Sequence, residues 1–394
     1  MRAGAGPRGG GAWRAALSAA AVALALPALR PLARPGPVAS PGTRLDLGPA
    51  PGQSGFARVF EPRPFALPRD HGPHFEYQTE WWYFTGNLAT ADGRRLGFQL
   101  TFFRRGLSPG PPPPGPGLAS NQAYLAHLAL TDVEAGRHRA VERLARGAGG
   151  LAGAGGDPVS VWLESWRAGW DGGSWQLAAE DAASGLSLQL LLRPAKALVA
   201  QGDRGVSPKS SRPGNASYYV SYTRMAASGR IGLPEGGSDV AGEAWFDHEW
   251  STSALGEDAV GWDWFSLQLD DGRELMLFRI RRADGGVEPV SSGTLVQADG
   301  RTARLARDDV RLEVLRRWTS PATGARYPAS WRVVVPAVQL DLWVAPRLDD
   351  QELRASFVYW EGAVRVSGTG GGRQLSGQGY VELTGYGRSL RGAF

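Results

Sequence analysis

The chain contains an internal repeat, which constrains its fold more than any other feature of the sequence. Residues 81–84 read Trp-Trp-Tyr-Phe, and an Asp-Gly-Arg turn and an apolar segment follow them. The same order recurs from residues 262–265, Trp-Asp-Trp-Phe, again with an Asp-Gly-Arg turn and an apolar segment. Further along, Tyr218 aligns with Tyr359. This self-similarity predicts two tandem domains that share one topology.

The C-terminal ends of the two copies also correspond. The segment Gly-Glu-Ala-Trp-Phe-Asp-His, which ends at His248, matches Gly-Gln-Gly-Tyr-Val-Glu-Leu, which ends at Leu383. The scaffold therefore does not require a histidine at this position. The carboxylate of Asp247 is kept as Glu382, which indicates that Asp247 has a partly structural role.

Short segments of alternating polarity, separated by turn residues, fill both copies. Such segments include residues 80–88, 96–104 and 124–133, and the chain has 55 glycines. Regular short strands with turns between them predict an all-β sandwich or antiparallel barrel. The predicted domains cover residues 56–253 and 258–394. A Gly/Ala-rich stretch at 145–156 is expected to be mobile.

The N-terminus is typical of a secretory signal. Arg2, Arg8 and Arg14 precede an alanine-rich apolar run at residues 15–29. This run is short for a membrane span, and Pro27 would end a helix. We therefore expect residues 1–40 to be a signal peptide plus linker, with an uncleaved anchor as the alternative, and the protein to reach the periplasm or the outer face of the membrane.

The charge and cysteine content exclude several classes of function. Residues 1–40 hold five arginines and no acid, and the rest of the chain has 38 Lys and Arg against 38 Asp and Glu. A neutral folded part argues against a nucleic-acid binder. The chain has no cysteine, which excludes disulfides and thiolate metal sites. His71 and His74 have no clear third metal ligand and are expected to cap a proline-bound loop. We predict no metal and no cofactor, and the sequence gives no oligomeric state.

Residues 242–250 are the strongest candidate for a functional site. They contain two tryptophans, three carboxylates and one of the five histidines of the chain. In a strand, alternate residues share a face. The two predicted faces are Trp245, Asp247 and Glu249 on one side and Phe246, His248 and Trp250 on the other. Asp247 and His248 would share one pocket only at a bulge or a strand end.

Several motifs together resemble the AttH-type lipocalin-like family, which includes hydroxyneurosporene synthase (carotenoid 1,2-hydratase). The matching segments are residues 70–74, 80–83, 246–250, 261–265, 359–365 and 379–386. The resemblance implies two tandem lipocalin-like antiparallel β-barrel domains, each able to enclose an apolar ligand. It also implies export and association with ABC transporter components of the cell envelope.

The resemblance further implies a reaction. Members with hydratase activity add water to the terminal double bond of an acyclic carotenoid. In them an Asp-His-x-Trp core is linked to activity, and it falls here on Asp247, His248 and Trp250. A tyrosine and an aspartate are expected shortly downstream. This chain offers Asp263 there, but it has tryptophans beside it instead of the tyrosine.

The chemistry of alkene hydration agrees with these residue types. A carboxylic acid buried among aromatic rings has a raised pKa, so Asp247 could donate the proton. The faces of Trp250 and Trp264 would stabilise a carbocation, and His248 would orient the acid or take a proton from water. Further candidates for contact with the ligand are Trp245, Trp262, Glu80, Trp82, Tyr83 and His127. Alternatively, Asp247 and His248 form a structural hydrogen-bond cluster.

Three functions stay open on the sequence alone. The first is an exported binding protein for an isoprenoid or another lipid, working with an envelope transporter. The second is an enzyme of the hydratase or isomerase kind that acts on such a ligand. The third is a carbohydrate-active β protein, because tryptophan platforms with paired acids also serve sugars.

Overall fold

The computed structural model describes residues 55–113, 117, 119–252, 255–256 and 258–390. The predicted signal or anchor at residues 1–40 lies outside these ranges. Among the described residues, no helix has the length and apolar character needed to cross a bilayer.

Two antiparallel sheets make up the structure. The 13 strands of the first sheet are β1 Thr79–Ala89, β2 Arg95–Gly106, β3 Gln122–Asp132, β4 Arg137–Arg146, β5 Ala152–Gly156, β6 Val159–Leu163, β7 Trp166–Trp170, β8 Trp175–Asp181, β9 Leu186–Pro194, β10 Val199–Ala200, β11 Val206–Pro208, β12 Ala216–Leu233 and β13 Gly236–Ser251. The ten strands of the second sheet are β14 Ala259–Leu269, β15 Glu274–Arg282, β16 Ser292–Val296, β17 Thr302–Ala306, β18 Arg311–Thr319, β19 Arg326–Val335, β20 Leu340–Pro346, β21 Glu352–Arg354, β22 Val358–Gly370 and β23 Arg373–Leu383.

Each sheet curls toward a closed barrel. In the first sheet the strand order is β4-β3-β2-β1-β13-β12-β9-β8-β7-β6-β5, and β5 and β6 return to contact β3. In the second the order is β17-β16-β15-β14-β23-β22-β20-β19-β18, and only a short 3-10 turn, Arg307–Asp309, joins the two outermost strands. The prediction of two tandem lipocalin-like antiparallel barrels is confirmed.

The interior of each barrel is a packed core of its own side chains. In the first barrel, the ring centroids of Phe84 and Phe246 lie 4.7 Å apart, and those of Trp175 and Phe246 lie 5.0 Å apart. In the second, Trp331 packs edge-on against Phe265 at 5.3 Å. Burial of these rings supplies much of the favourable free energy of folding.

A third apolar cluster joins the barrels. Tyr83, Tyr219 and Trp245 of the first barrel pack against Trp264 and Phe278 of the second. Polar contacts flank this cluster. The Asn87 side chain donates to the carbonyl of Gly379 at 3.0 Å, the Gln268 side chain donates to the carbonyl of Thr223 at 2.9 Å, and Arg224 pairs with Glu274 at 2.6 Å.

The strand register corrects the alignment of the two copies by one residue at their C-terminal ends. Val220 lies opposite His248 on β13, and Trp360 lies opposite Leu383 on β23. The structural equivalent of Tyr359 is therefore Tyr219 and not Tyr218. The shift matters because it moves the equivalent tyrosines to the other face of their strands.

The Gly/Ala-rich stretch at 145–156 is partly ordered strand. It contains the end of β4 and all of β5. Small residues are needed there, because a Cβ on Gly153 would lie 2.4 Å from the ring of Trp162. At Gly153 the small residue thus reflects close packing of an aromatic ring, while residues 147–151 form the turn between the two strands.

Truncation of a side chain in the first barrel tests this description of the core. Leu188 on β9 is fully buried, whereas Leu315 on β18 is 46% exposed. We expect Leu188→Ala to lower the free energy of unfolding by about 2–5 kcal/mol, because it leaves a cavity. Leu315→Ala is the matched control and should change it by less than about 0.5 kcal/mol. Urea unfolding followed by circular dichroism measures both, and equal effects would contradict a packed interior.

Candidate functional site

A largely apolar cavity of about 100 Å³ lies where the two barrels face each other. Strands β1, β2, β12 and β13 border it on one side, and β14, β15, β22 and β23 on the other. Aromatic side chains from both barrels form most of its wall: Trp81, Tyr83, Tyr219, Trp262, Trp264 and Tyr359. The sequence-based expectation placed a ligand inside each barrel, whereas this cavity lies between the two barrels.

The cavity is built from equivalent positions of the two copies. Asp247 lies opposite Tyr83 in the first sheet, and Glu382 lies opposite Trp264 in the second. Both carboxyl groups line the cavity. The carboxylate that the second copy retains is therefore the second acid of one site.

Asp247 is buried and accepts three hydrogen bonds. Tyr219 Oη, Ser221 Oγ and Trp245 Nε1 each donate to it at 2.6 Å. Burial raises the pKa of Asp247 to about 7, although these hydrogen bonds favour the ionised form, and the nearby Glu249 adds to the rise. The carboxyl group can therefore carry a proton near neutral pH.

Two further acids come from the second barrel. Burial, with the charges of Asp247 and Glu249, raises the pKa of Glu382 to about 7, and Trp262 Nε1 donates to its carboxylate at 3.0 Å. Glu361 accepts a hydrogen bond from Tyr83 Oη at 2.6 Å, while its Oε2 has no hydrogen-bond partner among the described residues. Burial and Glu382 raise the pKa of Glu361 well above its usual range.

Cationic side chains also line the cavity, and Lys209 pairs with one of its acids. Lys209 Nζ lies 2.5 Å from Glu249 Oε1 and 5.1 Å from the ring centroid of Phe278. Glu249 is thus part of an ion pair, whereas Asp247 is held by neutral donors. The arrangement separates a charged carboxylate from a carboxyl group that can carry a proton.

His248 belongs to a second cluster, inside the end of the first barrel. The pairing of β13 is regular here, because Asp247 and His248 lie opposite consecutive residues on both neighbouring strands. Their side chains therefore point to opposite faces. His248 Nε2 lies 2.9 Å from Glu80 Oε1, and its Nδ1 lies 3.1 Å from the carbonyl of Asp70.

Glu80 is the centre of this second cluster. Arg104 Nε donates to Glu80 at 2.8 Å, and His74 Nδ1 lies 2.8 Å from it. Burial opposes ionisation, but Arg104, His248 and His74 outweigh it and hold the pKa of Glu80 well below its usual range. Aromatic rings enclose the cluster, since Trp82 stacks on His248 at 4.8 Å and Trp250 on His74 at 3.7 Å.

The same cluster is the place where described residues come nearest to a metal site. One ligand atom each from His74, Glu80 and His248 lies within 4.8 Å of the others. The guanidinium of Arg104 is already paired with Glu80 and would repel a divalent ion. A hydrogen-bonded network therefore describes the cluster better, and the absence of a metal stays a prediction.

Asp263 lies in a third place. It is buried at the end of the second barrel, where Arg281 Nε and Tyr386 Oη donate to it at 3.0 and 2.9 Å. Its neighbours Trp262 and Trp264 point the other way and line the cavity. The three predicted catalytic residues are thus distributed over the cavity and both barrel ends.

The structure brings the remaining candidates together in two groups. Those at or beside the cavity are Tyr83, Trp245, Trp262 and Trp264, with His127 behind Tyr359. Those in the barrel-end cluster are Glu80, Trp82 and Trp250. Sequence reasoning did not identify Tyr219, Ser221, Lys209 or Glu361 as members of the site. Period-two alternation places Tyr219 and Ser221 on one face, but only the register against Asp247 reveals their role.

Comparisons with known proteins point to one family. The sequence model of the AttH-like family matches residues 58–386. The structure is similar to that of an AttH protein from Nitrosomonas europaea, with 36% identity, 84% of this chain and 99% of that chain covered, and a TM-score of 0.75. A comparison with curated protein sequences gave no match.

More distant structures share the fold alone. Kievitone hydratase from Nectria haematococca has 12% identity and a TM-score of 0.64, with 84% of this chain and 97% of that chain covered. CghA has 15% identity and a TM-score of 0.51, with 78% and 88% covered.

The raised pKa of the cavity acid predicts a pH-dependent stability. A pKa of about 7 for folded Asp247, against about 4 in the unfolded chain, means that the unfolded state loses its proton first as the pH rises. The free energy of unfolding should therefore fall between pH 4 and 7, on the order of 4 kcal/mol per such carboxyl. In Asp247→Asn the fall should be smaller, whereas Asp239→Asn, an exposed site on the same strand, should leave it unchanged. Urea titrations at several pH values measure this, and identical slopes in Asp247→Asn and the unmodified protein would contradict the assignment.

Proposed function

The chain belongs to the AttH-like family, and from this premise we propose that it binds the apolar end of a ligand between its barrels and protonates a double bond there, as in the addition of water to an alkene. The observation that carries the proposal is Asp247. Its carboxyl group has a pKa of about 7 and lines a cavity with aromatic walls. A neutral acid in a dry apolar site is what alkene protonation requires.

The lining of the cavity suits the charge that such a reaction develops. The O–H bond of the Asp247 carboxyl breaks as a C–H bond forms on the less substituted carbon, which leaves a carbocation on its neighbour. Faces of Trp262 and Trp264 in the wall stabilise a cation by their quadrupoles, and the Asp247 carboxylate left behind adds its charge. A water molecule then forms the C–O bond.

The size and polarity of the cavity restrict the ligand. An engineered cavity of about 150 Å³ holds benzene. A cavity of about 100 Å³ therefore fits a branched end group of a few carbons, such as the end of an isoprenoid chain, and not a whole carotenoid. The mainly aromatic and aliphatic wall favours an apolar ligand over a sugar.

In this proposal the role of His248 is to position Asp247. It faces away from the cavity and ties β13 to Glu80 and to the carbonyl of Asp70. Because it follows Asp247 directly in the chain, this attachment holds the backbone that carries the acid. We therefore propose His248 as a positioning residue rather than the base.

Turnover of a defined probe tests the proposal. The probe is an acyclic isoprenoid with a terminal trisubstituted double bond, incubated with the protein in oxygen-18 water and analysed by mass spectrometry. We expect a labelled tertiary alcohol from the unmodified protein. In Asp247→Asn we expect a rate at least about 10²-fold lower, with the affinity for the probe, measured by tryptophan fluorescence, little changed.

Asp239→Asn on the same strand is the matched control and should keep full activity. Binding of the probe without turnover by the unmodified protein would leave an apolar-ligand binding protein. Turnover retained in Asp247→Asn would reject the assignment of the acid.

We also propose that the protein is exported and works beside an ABC transporter of the cell envelope. The basic segment with Arg2, Arg8 and Arg14, followed by the apolar run at 15–29, supports export. Expression of the full chain in a Gram-negative host should yield a periplasmic protein whose mature N-terminus lies between Ala25 and Ala39. A cytoplasmic protein with an intact N-terminus would contradict export, and co-purification from the envelope tests the partner.

A further inference from the structure

We propose that Tyr359, His127 and Glu142 form a proton relay that accepts the proton of the attacking water and leads it from the cavity toward solvent. This inference rests on the proposed function and adds the acceptor that acid-catalysed hydration requires. The acid at Asp247 protonates the alkene, but the water that attacks the cation must lose a proton as its C–O bond forms.

The three side chains form a continuous hydrogen-bonded line across the interface. Tyr359 on β22 lines the cavity, and its hydroxyl lies 2.8 Å from His127 Nδ1 on β3. His127 Nε2 lies 2.9 Å from Glu142 Oε2 on β4. Two residues of the first barrel thus connect a tyrosine of the second barrel to the protein surface.

The partners of the ring fix the direction of the hydrogen bonds. A carboxylate only accepts, so His127 Nε2 carries the hydrogen and donates to Glu142. This leaves Nδ1 as an acceptor for the Tyr359 O–H. The Gln99 amide donates to the same phenol oxygen at 3.2 Å, so one acceptor position of that oxygen remains for a water molecule.

Burial decreases along the line from the cavity outward. Tyr359 and His127 are buried, while the Glu142 side chain is 19% exposed. Ser356 of the second barrel fixes Glu142, because its N–H and its hydroxyl both donate to the carboxylate, at 3.2 and 2.5 Å. Phe103 and Phe357 pack against the imidazole, with ring centroids 5.5 and 5.2 Å from its own.

The ionisation of Glu142 and Tyr359, the two ends of the relay, agrees with proton transfer from the cavity toward solvent. Burial disfavours the charged form of Glu142, but hydrogen bonds from His127 and Ser356 outweigh it and lower its pKa. An ionised Glu142 stabilises the imidazolium that forms when His127 accepts a proton. Burial, together with Glu361 and Glu382, raises the pKa of Tyr359 well above its usual range. A free phenolate is therefore unfavourable, and Tyr359 must gain and lose its proton in one concerted step.

The number of protons is conserved over the attack of water and the return of the site to its starting state. As the water oxygen bonds to the cationic carbon, one water O–H bond breaks and its proton goes to the Tyr359 oxygen. The phenol proton passes at the same time to His127 Nδ1. After the alcohol leaves, the imidazolium loses its Nε2 proton to solvent at the Glu142 end. To restore the starting tautomer, Nε2 takes up a proton from solvent and Nδ1 returns its proton through Tyr359 to cavity water, which protonates Asp247 again. The net reaction is the alkene plus water giving the alcohol.

Deuterium exchange separates the relay from the acid. In heavy water, the same isoprenoid probe reports two events: hydration, and exchange of hydrogen next to the double bond through reversible protonation. We expect Tyr359→Phe to lower hydration by about 10²–10⁴-fold while exchange continues, because only the acceptor is lost. Asp247→Asn should lose both events.

Tyr380→Phe is the matched control, since Tyr380 is a buried tyrosine of the same interface outside the cavity wall. It should keep hydration within about twofold.

Glu142→Gln tests a property that a purely structural role of Glu142 would not change. In this variant hydration should fall while exchange continues, because the imidazolium that forms on His127 loses its anionic partner. Full hydration by Tyr359→Phe, with exchange intact, would overturn the relay and leave the proposed function standing.

A second measurement applies if the unmodified protein neither hydrates nor exchanges the probe, in which case the proposed function fails. Nitrogen-15 NMR of histidine-labelled protein reports the tautomer of His127, assigned by comparison with His127→Gln. The relay requires hydrogen on Nε2 and an acceptor Nδ1 whose shift changes in Tyr359→Phe. Hydrogen on Nδ1, or no change in that variant, would overturn the relay.

Discussion

The contact between equivalent faces of the two barrels is the interaction on which the rest of the site depends. Asp247 and Glu382 occupy the same place in the two copies, so face-to-face packing brings both carboxyl groups into one apolar cavity. Removal of a carboxylate from water is costly, and a second acid nearby increases the cost. A protonated carboxyl group carries no charge and costs less to bury, so the two acids keep their protons to higher pH. The apolar cavity therefore contains a proton donor.

Because alternate residues of a strand face opposite ways, the polar side chains of β13 lie in two separate sites. Asp247 points to the cavity, while His248 points into the end of the first barrel, against Glu80. The inner network is ionic, with Arg104 paired to Glu80. A buried network of this kind fixes one register and one backbone position. In the proposed reaction this network therefore acts by position, since it fixes the strand whose other face carries the acid.

Much of this arrangement follows from the sequence, and the limits of the prediction have a physical cause. The repeat predicted two domains of one β topology, and the resemblance to the AttH-type family implied that they are lipocalin-like barrels, which is confirmed. Alternation predicted that Asp247 and His248 face apart unless a bulge intervenes, and the pairing of β13 is regular at both residues. Period-two reasoning is local, however, and the bond from Tyr83 to Glu361 joins residues 278 positions apart. Such a contact depends on how the barrels dock. The alignment of Tyr359 with Tyr218, which is wrong by one residue, had the same cause. Cross-strand register is set by the pairing partners of each strand and not by sequence similarity.

The two copies differ in the hydrogen-bond partners of one equivalent tyrosine, and this difference makes the two sides of the shared cavity chemically unlike. Tyr219 and Tyr359 are equivalent by register and both line the cavity, but their hydroxyls have different partners. Tyr219 donates to Asp247 at 2.6 Å and so belongs to the acid, whereas Tyr359 lies 2.8 Å from the nitrogen of His127 and so belongs to a base. A duplicated barrel pair with identical copies would present the same group twice. In the proposed reaction, this change of partners, with the tyrosines unchanged, places a proton donor and a proton acceptor around one apolar space.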